Sequence, residues 1–106
     1  MESHAKVVII GGGVVGCSIL FHLAKFGLKD CILLERDELT SGSSWHAAGS
    51  VHAISSDPNI SKLMAYTIKL YKEIEETSGH SVGFKPSGGF YLASNEVWHD
   101  YLKRER

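Results

Sequence analysis

The sequence predicts an α/β fold: one βαβ unit with parallel strands, part of an incomplete domain, then a helix and the first strand of a second sheet. Three observations predict it. A β-branched run, Val7–Ile10, passes into the glycine turn Gly11-Gly12-Gly13-Val14-Val15-Gly16, and an apolar helical pattern follows at once. A second short apolar run, Cys31–Leu34, ends on an acid, Glu35. Runs that are apolar on both faces suit parallel strands covered on both sides. Together these make a Rossmann-like unit.

Val7–Ile10 reads as the first buried strand. Gly11, Gly13 and Gly16 then match G-x-G-x-x-G, the turn by which such a strand hands a dinucleotide diphosphate to a helix N-terminus. Gly11 permits the tight turn, Gly13 removes a Cβ that would block the phosphates, and Gly16 lets the helix lie close to the strand. Val14 and Val15 present backbone N–H groups, and the positive end of the helix dipole favours the anion. The helix is expected from Gly16 to Phe26, with Ile19, Leu20, Leu23 and Ala24 on its inner face and Gly27 as its C-terminal cap. Cys31–Leu34 is the second strand. Glu35 stands roughly 20 residues past the glycines, where a carboxylate accepts the ribose hydroxyls. It disfavours a 2′-phosphate, which makes NADP the least suited dinucleotide. Arg36 flanks the adenine side.

From Arg36 to Ser55 no period is sustained, and Ser, Gly and Thr predominate, so a loop or irregular helix is expected. Ser41–Ser44 can cap a short helix facing a phosphate. Asp57-Pro58 places an N-cap and a first helical residue. The helix they open has a packing stripe of Ile60, Leu63, Met64, Thr67, Tyr71 and Ile74, with lysines and glutamates mostly on the other face, and Gly79 stops it. Gly89–Ala93 reads as a strand of a different sheet. Ser94–Arg106 reads as the start of a helix, capped by Ser94 or Asn95, with Val97, Trp98, Tyr101 and Leu102 at helical spacing.

Composition narrows the function. The 106 residues are 43% hydrophobic with a formal net charge of −1, room for one domain and no electrostatic footprint for nucleic acid. The Lys103-Arg104-Glu105-Arg106 tail is a solvated helix face. No apolar run reaches the length of a membrane span. Only Met1–Ala5 precede the first strand, which leaves no space for a targeting segment. A cytoplasmic location is therefore expected, or a mitochondrial matrix one if a leader is removed. Cys17 and Cys31 lack C-x-x-C spacing and read as buried free thiols in a reducing compartment. The six histidines show no metal-ligand spacing, so no metal site is expected.

The stretch Ser41-Gly42-Ser43-Ser44-Trp45-His46-Ala47-Ala48-Gly49 is more specific than the glycine turn. With Gly11–Gly16, Leu33-Leu34-Glu35-Arg36 and Leu39-Thr40, it closely resembles the N-terminus of the dimethylglycine dehydrogenase and sarcosine dehydrogenase group of D-amino-acid-oxidase-like FAD oxidoreductases. The resemblance runs on through Ile68-Lys69-Leu70-Tyr71, Gly83-Phe84 and Gly88–Ala93. It departs at Ser50-Val51-His52, where an apolar residue is expected after Ala-Ala-Gly.

The resemblance implies that residues 1–106 are the N-terminal portion of an FAD-dependent oxidoreductase domain, with about 1–50 forming the dinucleotide-binding unit and flavin loop. It implies that Gly42, Ser43, Ser44, Trp45, His46, Ala47, Ala48, Gly49 and Ser50 line the flavin half of FAD, with His46 carrying the cofactor covalently through the C8 methyl group. The implied reaction is oxidation of the N-methyl group of dimethylglycine or sarcosine by hydride transfer to flavin N5. The iminium formed is hydrolysed or passes its one-carbon unit to tetrahydrofolate, and an electron-transfer flavoprotein is a further implied partner. No catalytic acid or base falls in this stretch. The rival readings are a non-catalytic regulatory homologue, an NAD-dependent dehydrogenase and an FAD-binding fragment without activity of its own.

Overall fold

A computed structural model describes residues 4–104. The predicted tail at Glu105 and Arg106, and Met1 to Ser3 at the start, lie outside the described residues. Five elements follow along the described chain: β1 (Val7–Ile10), α1 (Val14–Lys25), β2 (Cys31–Leu34), α2 (Pro58–Ser78) and α3 (Glu96–Arg104). They fall in two compact units, Met1–Gly49 and Ser50–Arg106. Among the described residues no helix is long and apolar enough to cross a membrane.

The first unit is the expected βαβ. β1 and β2 pair in parallel, Val7 opposite Cys31 through Ile10 opposite Leu34, and α1 packs on both strands. The Gly11 N–H extends the ladder by one bond, donating to the Leu34 carbonyl at 2.8 Å. Gly11 itself has φ +106°, a conformation that would strain any side chain, and this turns the chain from strand to helix.

α1 begins at Val14, two residues earlier than the sequence suggests. Its C-terminus closes as expected. Gly27, at φ +88°, donates to the Ala24 carbonyl at 2.9 Å, and Leu28 donates to the Leu23 carbonyl at 2.9 Å. That pair of bonds is the Schellman arrangement, which satisfies carbonyls the helix leaves open.

The inner face of α1 is rotated from the one expected. Gly16 is buried, and Cys17, Leu20 and Leu23 are half-covered, whereas Ile19 and Ala24 are exposed. Close approach at Gly16 sets this rotation, because the helix lies nearest the strands where it has no side chain. The cysteines are half-covered rather than buried. Their thiols donate to the Gly12 carbonyl at 3.5 Å and the Leu28 carbonyl at 3.3 Å.

In the second unit Asp57 caps α2 as expected. Its carboxylate accepts the N–H of Asn59 at 2.7 Å and of Ile60 at 3.1 Å. Gly79 ends the helix, its N–H donating to the Glu75 carbonyl at 3.0 Å. The stripe is shifted: Met64, Thr67, Ile68, Tyr71 and Ile74 are partly covered, and Ile60 and Leu63 are exposed. Tyr71 stacks obliquely near Phe84, ring centres 6.1 Å apart. α3 opens at Glu96, and the Asn95 side chain caps it by accepting the Trp98 N–H at 2.9 Å.

The expected strand at Gly89–Ala93 does not form. A strand requires a partner ladder, and no segment of the described chain pairs with this one. Its side chains stand open, Phe90 at 98% exposure and Leu92 at 92%.

Candidate cofactor site

The site is assembled where the glycine turn, the end of β2 and the loop after it meet within the first unit. Glu35 follows β2 directly, and its carboxylate folds back on the main chain. Oε2 accepts the Gly12 N–H at 2.6 Å, and Oε1 accepts the N–H groups of Arg36 at 2.7 Å and Asp37 at 3.1 Å. These donors, Gly12 foremost, hold the carboxyl below its ordinary value of 4.5 because they bond to its charged form. Glu35 thus fastens the glycine turn, a duty the sequence did not announce. A carboxylate offers about four acceptor positions, so capacity remains for a ligand hydroxyl.

Gly12 is the residue that motif reading passed over. It is buried, and a Cβ there would meet Leu39 Cδ2 at 2.5 Å and Glu35 Cβ at 3.1 Å. Its carbonyl accepts the Thr40 N–H at 3.0 Å. The signal was present: three glycines in a row exceed what G-x-G requires.

From Leu39 to His46 the chain runs in consecutive turns rather than the short helix considered possible. Trp45 donates to the Gly42 carbonyl at 3.2 Å, His46 to Ser43 at 3.2 Å and Ala47 to Ser44 at 3.4 Å. Thr40 opens this run at φ +68°, an uncommon conformation for a β-branched residue, held by the Gly12 bond and by the Trp45 N–H on its own carbonyl at 3.0 Å. Ser44 reaches back to α1, where its Oγ accepts the Val14 N–H at 2.8 Å. His46 is exposed, and its Nδ1 lies 3.0 Å from the Gly42 carbonyl. A carbonyl only accepts, so Nδ1 carries the hydrogen, and in the neutral ring Nε2 keeps the lone pair.

Of the residues singled out by sequence, Gly13, Glu35, Arg36, Gly42, Ser43 and Ser44 line one open cavity of about 560 Å³. Arg36 turns its side chain along the surface, 3.6 Å from Asp37. Gly11, Val14, Val15 and Gly16 form the turn and helix start beside the cavity without lining it, and Trp45 to Gly49 lie beyond its wall. Trp45 is 78% exposed. Ser50 belongs to the second unit.

The fold and this site define a class. A family model for FAD dependent oxidoreductases matches residues 6–106, and the chain belongs to that family. Within it, the chain is 47% identical to human mitochondrial dimethylglycine dehydrogenase over 102 residues, 96% of this chain and 12% of that protein. It is 42% identical to human mitochondrial sarcosine dehydrogenase over 105 residues, 98% of this chain and 11% of that protein. A mouse protein named as the mitochondrial pyruvate dehydrogenase phosphatase regulatory subunit is 35% identical over 104 residues, again 98% of this chain and 12% of that protein. The chain therefore spans about an eighth of these relatives.

The residues present suit the FAD of this family. Among the described residues the N–H groups of Val15 and Gly16 have no acceptor, and no acid stands in the first turn of α1. Such a helix start attracts a diphosphate. Gly16 is indispensable to its shape, since a Cβ there would collide with the Gly11 carbonyl. A Cβ at Gly13 would also stand 3.2 Å from Ser44 Oγ.

Proposed function

We propose that this chain is the FAD-binding start of a flavin-dependent amine dehydrogenase acting on a methylated glycine, dimethylglycine or sarcosine. The observation that carries this reading is the fastening of a Ser-Ser-Trp-His turn to a glycine-rich helix start. The βαβ unit serves as the Rossmann-like nucleotide-binding half. Val15 and Gly16 hold the diphosphate at the start of α1, the Val14 N–H being taken by Ser44 Oγ. Glu35 holds the ribose while keeping the glycine turn closed, and Arg36 flanks the adenine.

FAD, when bound, supplies the acceptor for a hydride from the substrate N-methyl carbon. His46 would anchor it, with Nε2 as the atom that would carry the C8 methyl group. The Gly42 carbonyl supports this role by fixing the tautomer whose Nε2 is nucleophilic. Tetrahydrofolate and an electron-transfer flavoprotein are partners of the longer chain in this reading.

Acid precipitation of the full-length protein tests the anchor. Yellow colour stays in the wild-type pellet and moves to the supernatant for His46→Ala. Colour released from the wild type overturns the covalent bond, and a purified protein without any flavin supports the regulatory reading instead.

A further inference from the structure

We propose that Ser44 is a positioning residue whose hydroxyl straps the turn carrying His46 to the first turn of α1. The inference rests on the reading of FAD and His46 above and deepens it. α1 has no cap of its own, because its N-cap residue is Gly13. The missing acceptor comes from 30 residues downstream, where Ser44 Oγ takes the Val14 N–H at 2.8 Å. Both ends are shaped for this bond. At position 13 a Cβ would crowd the hydroxyl at 3.2 Å, so glycine leaves the approach open. At position 44 the side chain is partly covered, whereas Ser43 and Trp45 on either side are exposed.

The strap matters because of what shares its turn. His46 donates its main-chain N–H to Ser43, and Ser44 accepts the Ala47 N–H, so the imidazole rides on the segment that Ser44 fastens. A second tie, the Thr40 N–H on the Gly12 carbonyl, holds the entry to the turn but lies six residues before the histidine. Removing the hydroxyl leaves Val14 N–H without its acceptor and frees the half of the turn nearest His46. The attaching nitrogen is then misplaced relative to a cofactor whose diphosphate is still bound, and small misplacements of a reacting group are costly in rate.

The test compares Ser44→Thr with Ser44→Val in the full-length protein, two side chains of equal shape that differ in the hydroxyl. Apoprotein is reconstituted with saturating FAD, and acid-stable flavin is followed over time. S44T attaches flavin near the wild-type rate, and S44V attaches it about fivefold more slowly, the usual scale of a lost helix cap. In a His46→Ala background the FAD dissociation constants of the two variants agree within about twofold. Hydrogen exchange at the Val14 amide is about fivefold faster in S44V than in S44T.

Equal attachment rates with equal exchange overturn the proposal. So does a dissociation constant that rises while the saturated rate holds, which would make the hydroxyl a phosphate contact. Absence of acid-stable flavin in the wild type removes the His46 reading alone, and the Val14 exchange then decides whether the strap exists. Should S44V fail to fold while S44T folds, the same exchange measurement on Ser44→Ala decides it.

Discussion

Gly16 and Glu35 carry the site at the scale of single residues. Adding a methyl at Gly16 drives it into the Gly11 carbonyl, which is backbone and has nowhere to move. Gly16→Ala should destabilise the protein by about 3 kcal/mol and empty it of flavin, read as a lowered denaturant midpoint and lost absorbance near the flavin bands. Glu35 acts through charge. Its carboxyl is depressed below 4.5 in the folded state by the Gly12, Asp37 and Arg36 N–H groups. Stability from such a group is fully present above the unfolded value and is lost as pH falls through the folded one. Wild type should therefore exceed Glu35→Gln in urea midpoint at neutral pH, and the gap should shrink below about pH 4.5. A gap independent of pH would remove the ionised carboxylate from this role.

At the scale of elements, the caps were the most legible feature. Gly27 and Asp57 were readable because each acts within a few residues of its own helix, through φ or a side chain that sequence displays. Asp57→Ala should cost about 1 kcal/mol, seen as a drop in thermal midpoint, while Asp57→Ser should restore most of it. What escaped reading was set by distance. The rotation of α1 depends on how closely Gly16 meets β1, and the strand expected at Gly89–Ala93 depends on a ladder no described segment supplies. In the site, the glycines and His46 were visible as motifs. The bonds from Glu35 to Gly12 and from Ser44 to Val14 were not, because they join positions 23 and 30 apart and leave no local pattern.

Across the whole molecule the apolar surface is open. Ile9, at 7% exposure, is the one buried hydrophobic side chain among the described residues, while Ile10 in the same strand is 87% exposed. α1 covers one side of the two-stranded sheet, and parallel sheets ordinarily have both sides covered. The 106-residue chain should therefore brighten a hydrophobic dye such as ANS strongly. Weak fluorescence would mean that these side chains are sheltered.

The clasp between Glu35 and Gly12 also bears on how the protein is made. It closes over only 23 residues, a separation that costs little loop entropy. A ribosome adding about 5–20 residues per second delivers both ends within a few seconds of each other. The nucleotide cradle can thus take shape while the rest of the polypeptide is still being translated.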